Sequence, residues 1–316
     1  MDLLSHFTVM SRDGGATCNQ SATMVLERDG LRYFGKVVKP SECASQIVHM
    51  TRLYESLAAD ARVHFARPVG LYTLNGGAVV VTELIVGLDL FDYVATRGPW
   101  ARGDEQLRAL TRALLAALRA MHDHGLMHGD VKPENIMLEL DAGGGVARAC
   151  LVDFGFCLPF HGAESALVCG SIGYSPPEVL RREKSRFSPL VDVWGLGVTL
   201  LVLATGTNPF LRVVRDEVDE PGSRQLVLKP VPFGEAFLRR YHERCSAGFR
   251  AFIAALLVRQ SERPNVAAAL AHWWLCVPVA RPCVCLVPCA VPIATETETA
   301  WRRGTSGMCD SAAATV

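Results

Sequence analysis

Residues 128–135 read His128-Gly129-Asp130-Val131-Lys132-Pro133-Glu134-Asn135, and Asp153-Phe154-Gly155 follows a short way along the chain. Phosphoryl transfer needs an acid that positions the acceptor hydroxyl, a Lys that holds phosphate, and oxygen ligands for Mg²⁺. Asp130, Lys132 and the pair Asn135 and Asp153 supply these groups. A lone Asp or Asn is usually a turn residue, but both segments together favour phosphoryl transfer.

The two segments resemble the eukaryotic-type protein kinases, and Lys132, two places after Asp130, brings the chain nearest their Ser/Thr branch. The resemblance covers about residues 7–274. It implies an α+β, bilobal fold, with a small β-rich lobe carrying one main helix (about 7–84) and a larger helical lobe (about 86–274). It also implies ATP and Mg²⁺ as cofactors and Ser or Thr hydroxyls of proteins as acceptors. Asp130 would be the catalytic base, Lys132 the charge on the phosphoryl group, and Asn135 and Asp153 the metal ligands.

The composition limits the other classes of function. Half of the 316 residues are apolar, which is enough for a large core. The 32 basic and 32 acidic side chains leave no global field for nucleic acid, so we expect no nucleic-acid partner. We also expect a monomer. The first 30 residues lack an apolar signal-peptide core, and the 11 Cys form no regular pairs, so we expect an intracellular protein that is not secreted.

Patterns of apolar and turn residues predict the main elements of both lobes. In the small lobe we expect two hairpins, with turns at Arg28-Asp29-Gly30 and at Asn75-Gly76-Gly77. A helix over 41–59, capped by Ser41, should lie between them. In the larger lobe we expect helices over 104–124, 191–203, 249–258 and 266–274.

Phosphate binding also needs a Lys on a strand of the small lobe. Tyr33-Phe34-Gly35-Lys36 supplies one where the family has Ala-x-Lys, and Lys39 competes with Lys36 for this role. A carboxylate on the following helix should hold the Lys. Glu55 is the first candidate for it, and Glu42 in the first helical turn is the alternative.

The segment 79–85 resembles the strand and hinge that bind the nucleotide base. The resemblance puts Thr82 at the gatekeeper position and the backbone of Glu83 and Ile85 against the adenine edge. Asp89 then falls where relatives bind ribose or a basic substrate side chain. Val25 and Met137 would enclose the base from its two faces.

Gly170 to Glu178 looks like the substrate-docking end of an activation segment, with Pro-Pro-Glu in place of Ala-Pro-Glu. The family pattern implies that Ser171 contacts Lys132 and Asp130, and that Glu178 pairs with Arg263 as a structural contact. Asp192, on the predicted buried helix, would anchor the backbone of the catalytic loop.

Several positions depart from the family pattern. Gly14 and Gly15 stand alone in a poor glycine-rich loop, which predicts loose cover over the phosphates and weak ATP affinity. Gly35 replaces the family's Ala, which would remove a methyl group from the adenine roof. Gly129 replaces an Arg, and the usual phosphorylation position falls at or next to Leu167. Activity is therefore predicted not to need phosphorylation of the activation loop.

Two alternative functions remain open. The sequence His128-Gly129-Asp130 followed by Asn135 also suits small-molecule phosphotransferases of the aminoglycoside or choline kinase type. Lys132 and the segments around Glu178 and Asp192 argue against them. The poor glycine-rich loop allows a pseudokinase that acts as a binding module, although Lys36, Glu55 and the loop acids are all present.

Residues 275–316 have a different composition, in which Cys and Pro alternate. We expect a disordered tail, because interior Pro residues exclude a helix there. Reversible acylation of Cys276, Cys283, Cys285 or Cys289 is the sharper hypothesis, and it is the only route to membrane contact that we expect. The Cys spacing makes a weak zinc site.

Overall fold

The computed structural model describes residues 1–13, 22–38, 40–100, 104–141, 146–160, 170–181, 188–215, 224–228, 238–241 and 243–276. Gly14, Gly15, Lys39 and Leu167 lie outside these residues, as does the tail from residue 277 onward. The architecture is α+β with two lobes, as the sequence predicts: a sheet with one long helix comes first, and a mainly helical region follows.

The small lobe is built on a five-stranded antiparallel sheet in the order β1-β2-β3-β5-β4. Its strands are β1 Thr8–Asp13, β2 Thr23–Arg28, β3 Leu31–Val38, β4 Pro68–Leu74 and β5 Gly77–Glu83. Both predicted hairpins are present. Positive φ angles at Asp29 (54°) and Gly30 (75°), and at Asn75 (51°) and Gly76 (80°), make the two tight turns.

The main helix of the small lobe, α1, runs from Pro40 to Ser56, and α2 (Ala59–Arg62) is separate from it. The predicted helix of 41–59 was therefore too long at its end, and Ser41 lies inside α1, one residue after its start. Pro40 begins α1 because its fixed φ suits a first helical position, where the missing N–H would be unbonded in any case. Met50 and Leu53 on one side of α1 are buried in the main core.

The two faces of the sheet have different partners. Met24 and Leu26 of β2 and Val79 and Val81 of β5 point into an apolar cluster that also holds Leu3. Leu3 is fully buried, although the resemblance had put the start of the domain near residue 7. The packed part of this lobe therefore includes the first residues of the chain, and helix α1 packs against strands β4 and β5 of the same sheet.

The large lobe contains short strands and most of the helices. In the described part of this lobe the strands form three small antiparallel sheets, β6-β8-β9, β7-β10 and β11-β12. In chain order the elements are β6 Gly87–Asp89, α3 Leu90–Arg97, α4 Asp104–Asp123, β7 Leu126–Met127, β8 Ile136–Leu140, β9 Val146–Leu151, β10 Leu158–Pro159, α5 Pro177–Leu180, α6 Leu190–Thr205, β11 Leu211–Arg215, β12 Arg224–Leu228, α7 Ala247–Leu256, α8 Val266–Leu270 and α9 Trp273–Cys276.

The predicted long helix α4 and buried helix α6 are confirmed. Every residue of α6 from Val191 to Thr205 is buried, in keeping with its apolar sequence. The single helix predicted for 266–274 is instead two, α8 and α9. The chain turns between them, where His272 Nδ1 accepts a hydrogen bond from Trp274 N at 3.2 Å.

The last described residues belong to the packed lobe. Trp274 and Leu275 are 1% and 2% exposed, and Arg112 of α4 donates to the carbonyl oxygen of Leu275. Packing thus continues beyond residue 274, where the resemblance had placed the end of the domain. Among the described helices, none has the length and apolar character needed to cross a membrane.

Candidate active site

Asp192, near the start of the buried helix α6, holds the segment His128–Asn135 in place. Its Oδ2 accepts from His128 N at 2.9 Å, and its Oδ1 accepts from Gly129 N at 2.8 Å. His122 Nε2 lies 2.8 Å from Oδ2. Burial alone would raise the pKa of Asp192, but the hydrogen bond and charge of His122 hold that pKa below its usual range. The predicted anchoring role is confirmed.

Gly129 has a conformation that disfavours other residues. Its φ is +79°, and a Cβ atom there would lie 2.7 Å from the carbonyl oxygen of Phe156. The segment after Asp153 therefore packs directly on the backbone of the catalytic loop. No room remains at this contact for the side chain that the family pattern places here.

Asp130 is buried, with both carboxylate oxygens held by neighbours. Oδ1 accepts from Ser171 N at 2.8 Å, and Oδ2 lies 3.1 Å from Asn135 Nδ2 and 3.0 Å from Lys132 Nζ. These contacts fix the direction of the carboxylate. A carboxylate that acts as a general base must be held in one orientation toward the hydroxyl whose proton it accepts.

Lys132 joins Asp130 to the docking segment. Its Nζ donates to Ser171 Oγ at 2.6 Å, which confirms the predicted contact between Lys132 and Ser171. Burial lowers the pKa of Lys132, but the carboxylates of Asp130 and Glu134 outweigh that effect, and the pKa lies above its ordinary value. Lys132 therefore stays cationic, as a group that stabilises phosphate charge must.

Asn135 and Asp153 are held near each other by the backbone. Asn135 Nδ2 donates to Asp130 O at 2.8 Å, and Asn135 O accepts from Val152 N at 3.0 Å, directly before Asp153. Asp153 has a left-handed backbone, with φ at 59°. Since Nδ2 of Asn135 donates to Asp130, the oxygen atoms that could bind a metal are Oδ1 of Asn135 and the carboxylate of Asp153. Oxygen ligands of this kind suit Mg²⁺, whose remaining coordination positions are commonly filled by substrate phosphates.

Lys36 reaches Asp153 from the small lobe. Its Nζ lies 2.7 Å from Asp153 Oδ1. Loss of hydration would raise the pKa of Asp153, but the charge and hydrogen bond of Lys36 keep that pKa below its ordinary value. Asp153 is therefore ionised, and its charge is balanced across the cleft between the lobes.

Glu55 does not hold Lys36 in this structure, which corrects the expectation from sequence. Glu55 is exposed, and in the described part of the chain no ion pair joins it to Lys36. The reason is helical phase: Met50 and Leu53 of α1 face the core, and Glu55, two residues after Leu53, points away from it. The side chain of Glu42 lies outside the described ones.

Two side chains are expected to enclose the base. Val25 and Met137 are half-buried, and Met137 packs against a small apolar cluster of Ala66, Ile85 and Cys150. The N–H of Glu83 donates to Arg67 O at 2.9 Å, and its carbonyl oxygen accepts from Thr82 Oγ1 at 3.1 Å. Contact of this backbone with adenine stays a prediction.

Asp89, which is expected to contact a ligand or substrate, also caps a helix. Its Oδ1 accepts from Asp92 N at 2.6 Å, which caps the N-terminus of α3. The sequence pattern of an acid just before a helix could have indicated this cap. Contact with ribose or with a basic side chain stays a prediction.

Gly35 does not face the cleft, contrary to the expectation that it lines an adenine roof. A Cβ atom on Gly35 would meet Met24 Cγ at 2.8 Å and Leu26 Cδ1 at 3.0 Å, in the apolar cluster on the other face of the sheet. Side chains alternate along a strand, so Phe34 shares the cleft face with Lys36.

Glu178 and Arg263 form the predicted structural pair. Arg263 Nη1 and Nη2 lie 2.7 and 3.3 Å from the two carboxylate oxygens, and both residues are buried. Arg263 also donates to the carbonyl oxygens of Leu190 and Val258. The docking segment is thus fixed to the start of α6 and the end of α7.

Sequence reasoning missed Arg148 of β9. Its Nη2 lies 2.8 Å from Glu83 Oε1, Nε donates to Val63 O at 2.6 Å, and Nη2 also donates to Phe65 O at 2.8 Å. A weaker contact of 3.4 Å reaches Glu139. No local pattern marks this residue, because its partners are distant in sequence.

Comparison with known proteins agrees with this geometry. The family model described as the protein kinase domain matches residues 36–275, more than half of the chain. The chain is 28% identical over 287 residues to the serine/threonine-protein kinase RAD53 of Saccharomyces cerevisiae, a match that covers 86% of this chain and 33% of that protein.

Two further relatives have higher identity over shorter regions. A calcium/calmodulin-dependent protein kinase of Metarhizium anisopliae is 32% identical over 216 residues, covering 67% of this chain and 53% of that protein. Calcium-dependent protein kinase 9 of Oryza sativa subsp. japonica is 34% identical over 199 residues, covering 62% and 32% respectively. The chain therefore spans about a third to a half of the length of these curated relatives.

Proposed function

Because this chain belongs to the protein kinase family, we propose that it is a serine/threonine kinase that transfers the γ-phosphoryl group of ATP to hydroxyl groups of proteins. The observation that carries the proposal is the arrangement of Asp130, Lys132 and Ser171. Asp130 accepts from Ser171 N at 2.8 Å while Lys132 donates to Ser171 Oγ at 2.6 Å. A carboxylate and a cation thus lie together where the docking segment begins.

In the proposed reaction, Asp130 orients the acceptor hydroxyl and takes its proton as the new O–P bond forms and the bond to ADP breaks. Lys132 stabilises the negative charge on the transferring phosphoryl group. Lys36, on the ceiling of the cleft, positions the remaining phosphates. Asn135 and Asp153 would hold Mg²⁺, which neutralises phosphate charge when it is bound.

We also propose that the activity does not depend on phosphorylation of the activation segment. A switch of that kind pairs a phosphate with an Arg side chain. Gly129 has none, and the oxygen of Phe156 fills the space beside its Cα. Protein treated with phosphatase should therefore keep its full rate, and a large drop in rate would show that another phosphorylated residue controls it.

The proposal also covers the acceptor groups, the divalent ion and the location of the reaction. The acceptors are Ser or Thr residues of other proteins, Mg²⁺ is the divalent ion, and use of ATP favours action inside a cell. The pseudokinase alternative is favoured by one observation, the exposed position of Glu55, which is the first candidate for the helix carboxylate that would hold Lys36. A measured rate of transfer decides between the two.

The experiment compares the full chain with Asp130→Asn in transfer of labelled phosphate from Mg-ATP to a generic protein substrate. We expect a loss of about 10³-fold in kcat for the variant, because general base catalysis is removed, with ATP still bound. The matched control is Asp123→Asn, an exposed acid of α4. Equal turnover in Asp130→Asn would remove Asp130 from its role.

The same assay tests the assignment of the phosphate-binding Lys. Lys36→Met should abolish transfer, since Lys36 contacts Asp153. Lys39→Met should retain it. The reverse result would mean that Lys39 performs this role. Transfer to an aminoglycoside but not to protein would instead favour a small-molecule phosphotransferase.

A further inference from the structure

We propose that the ring of Phe34 limits the space for the nucleotide base, so that this chain binds ATP weakly. Removal of the ring should give the base more space and tighten the binding of ATP. The inference rests on the proposed function, because it concerns the same cleft. It concerns a side chain that lies outside the apolar clusters formed by the described residues.

The first step is the direction of the side chain. Tyr33 is buried in the cluster with Leu26, and a Cβ on Gly35 would enter that same cluster. Phe34 and Lys36 alternate with these residues and therefore lie on the opposite face. Lys36 on that face reaches Asp153 of the large lobe at 2.7 Å. The ring of Phe34 consequently points toward the cleft.

The second step is its position along the cleft. Phe34 lies opposite Val25 of β2 and opposite Thr82 of β5. It is about 7 Å from Lys36 along the strand, on the side of Glu83, where the chain leaves the small lobe. With the phosphates of a nucleotide at Lys36 and Asp153, its base would extend toward this end of the cleft, beneath Phe34.

The third step concerns the floor of the cleft, which cannot easily withdraw. Met137 and Val152 pack against the buried cluster of Ala66, Ile85 and Cys150. Arg148 ties this part of the large lobe to Glu83 at 2.8 Å. A nucleotide base that binds must fit between the Phe34 ring and the fixed floor of the cleft. Overfilling of a packed space is unfavourable.

Phe34 is also half-buried rather than buried, and it is absent from the described apolar clusters on either side of the cleft. Its removal should therefore leave the cores of both lobes intact. Substitution of Phe34 therefore allows a change in nucleotide binding to be distinguished from a change in folding.

The experiment measures the Kd of Mg-ATP by calorimetry and the KM for ATP in phosphate transfer, for the full chain and for Phe34→Ala. We expect Kd and KM to fall about tenfold, the size of effect that relief of overpacking gives, with kcat changed less than about twofold. Leu31→Ala is the matched control. It also shortens an apolar side chain of β3, but Leu31 is 59% exposed and lies away from the cleft, so its Kd should not change.

Phe34→Leu gives a second measurement if Phe34→Ala folds poorly, and its Kd should fall between those of the other two. Unchanged or weaker binding by the Phe34 variants would overturn the inference, since it would mean that the ring is neutral or stacks on the base. If wild type transfers phosphate in that case, the proposed function stands. Tighter binding by Phe34→Ala without transfer by either protein supports the inference and rejects the function. Absence of binding by all variants rejects both.

Discussion

Arg148 Nη2 lies 2.8 Å from Glu83 Oε1, and this contact joins strand β9 of the large lobe to the end of β5 in the small lobe. The same guanidinium donates to Val63 O and Phe65 O, in the segment that enters β4. One charged group therefore connects three separate parts of the chain at the junction of the lobes. Among the side chains, only the planar guanidinium of Arg offers several N–H donors in fixed directions to separate acceptors.

A double-mutant cycle on Arg148 and Glu83 should show strong coupling. We expect Arg148→Ala to lower the free energy of unfolding by about 1–3 kcal/mol, because two carbonyl oxygens and a carboxylate lose a charged donor. The coupling energy with Glu83→Ala, from urea unfolding, should exceed ~0.5 kcal/mol. As a control, Arg119→Ala removes an exposed pair with Asp123 and should change stability by less than about 0.5 kcal/mol. Additive effects of the Arg148 and Glu83 variants would contradict the proposed link.

Gly129→Ala should be more harmful than the same change at Gly30. Both glycines have positive φ, +79° and +75°, but Cβ would be 2.7 Å from Phe156 O at Gly129, whereas nothing lies within 4 Å at Gly30. Backbone strain of about 1–2 kcal/mol is common to both. The additional contact at Gly129 should lower the melting temperature further and reduce kcat, because Asp130 follows directly. Equal losses at the two positions would show that the contact with Phe156 relaxes freely.

The contribution of Asp192 to stability should depend on pH. Its pKa is lower in the folded protein than the ordinary value of 3.8, against the effect of burial, because of His122 and the backbone donors. The folded state thus binds fewer protons, so this stabilisation is complete above about pH 5 and is lost as pH falls through the folded-state pKa.

The measurement is urea unfolding of wild type and Asp192→Asn between pH 3 and pH 7. The difference in free energy of unfolding should be about 3 kcal/mol near neutral pH, as for a broken buried charge contact. It should shrink below about pH 4. Asp123→Asn, at an exposed acid, should show no such trend. A difference that is constant with pH would mean that the charge of Asp192 does not contribute.

Two truncations should locate the end of the packed lobe. A chain that stops after Cys276 should keep its melting temperature and its transfer activity. A chain that stops after Trp274 loses Leu275, which is 2% exposed and whose carbonyl oxygen accepts from Arg112. Loss of a buried Leu lowers stability by about 2–5 kcal/mol, which thermal unfolding can measure. Identical melting curves for the two truncations would place the boundary at 274 after all.

Local patterns in the sequence determined much of the site. The motifs around Asp130 and Asp153 predict the loop that carries the chemistry, and Asp29-Gly30 predicts a hairpin turn because only certain residues adopt positive φ. The apolar run of α6 likewise predicts a buried helix, and Asp192 within it predicts an anchor for the loop. Each of these depends on residues that are neighbours in the chain or part of one motif.

Tertiary structure alone decided which side chains face the cleft. A carboxylate at Glu55 has suitable sequence spacing, but packing of Met50 and Leu53 sets the rotation of α1 and turns Glu55 to solvent. The register of β3 against β2 and β5 turns Phe34 to the cleft and Gly35 to the core. Rotation and register are set by contacts between distant segments, and a one-residue shift in a strand reverses every side chain. For that reason the motifs of the sequence are sufficient to predict phosphoryl transfer, whereas the packing of the folded chain determines which side chains surround the site.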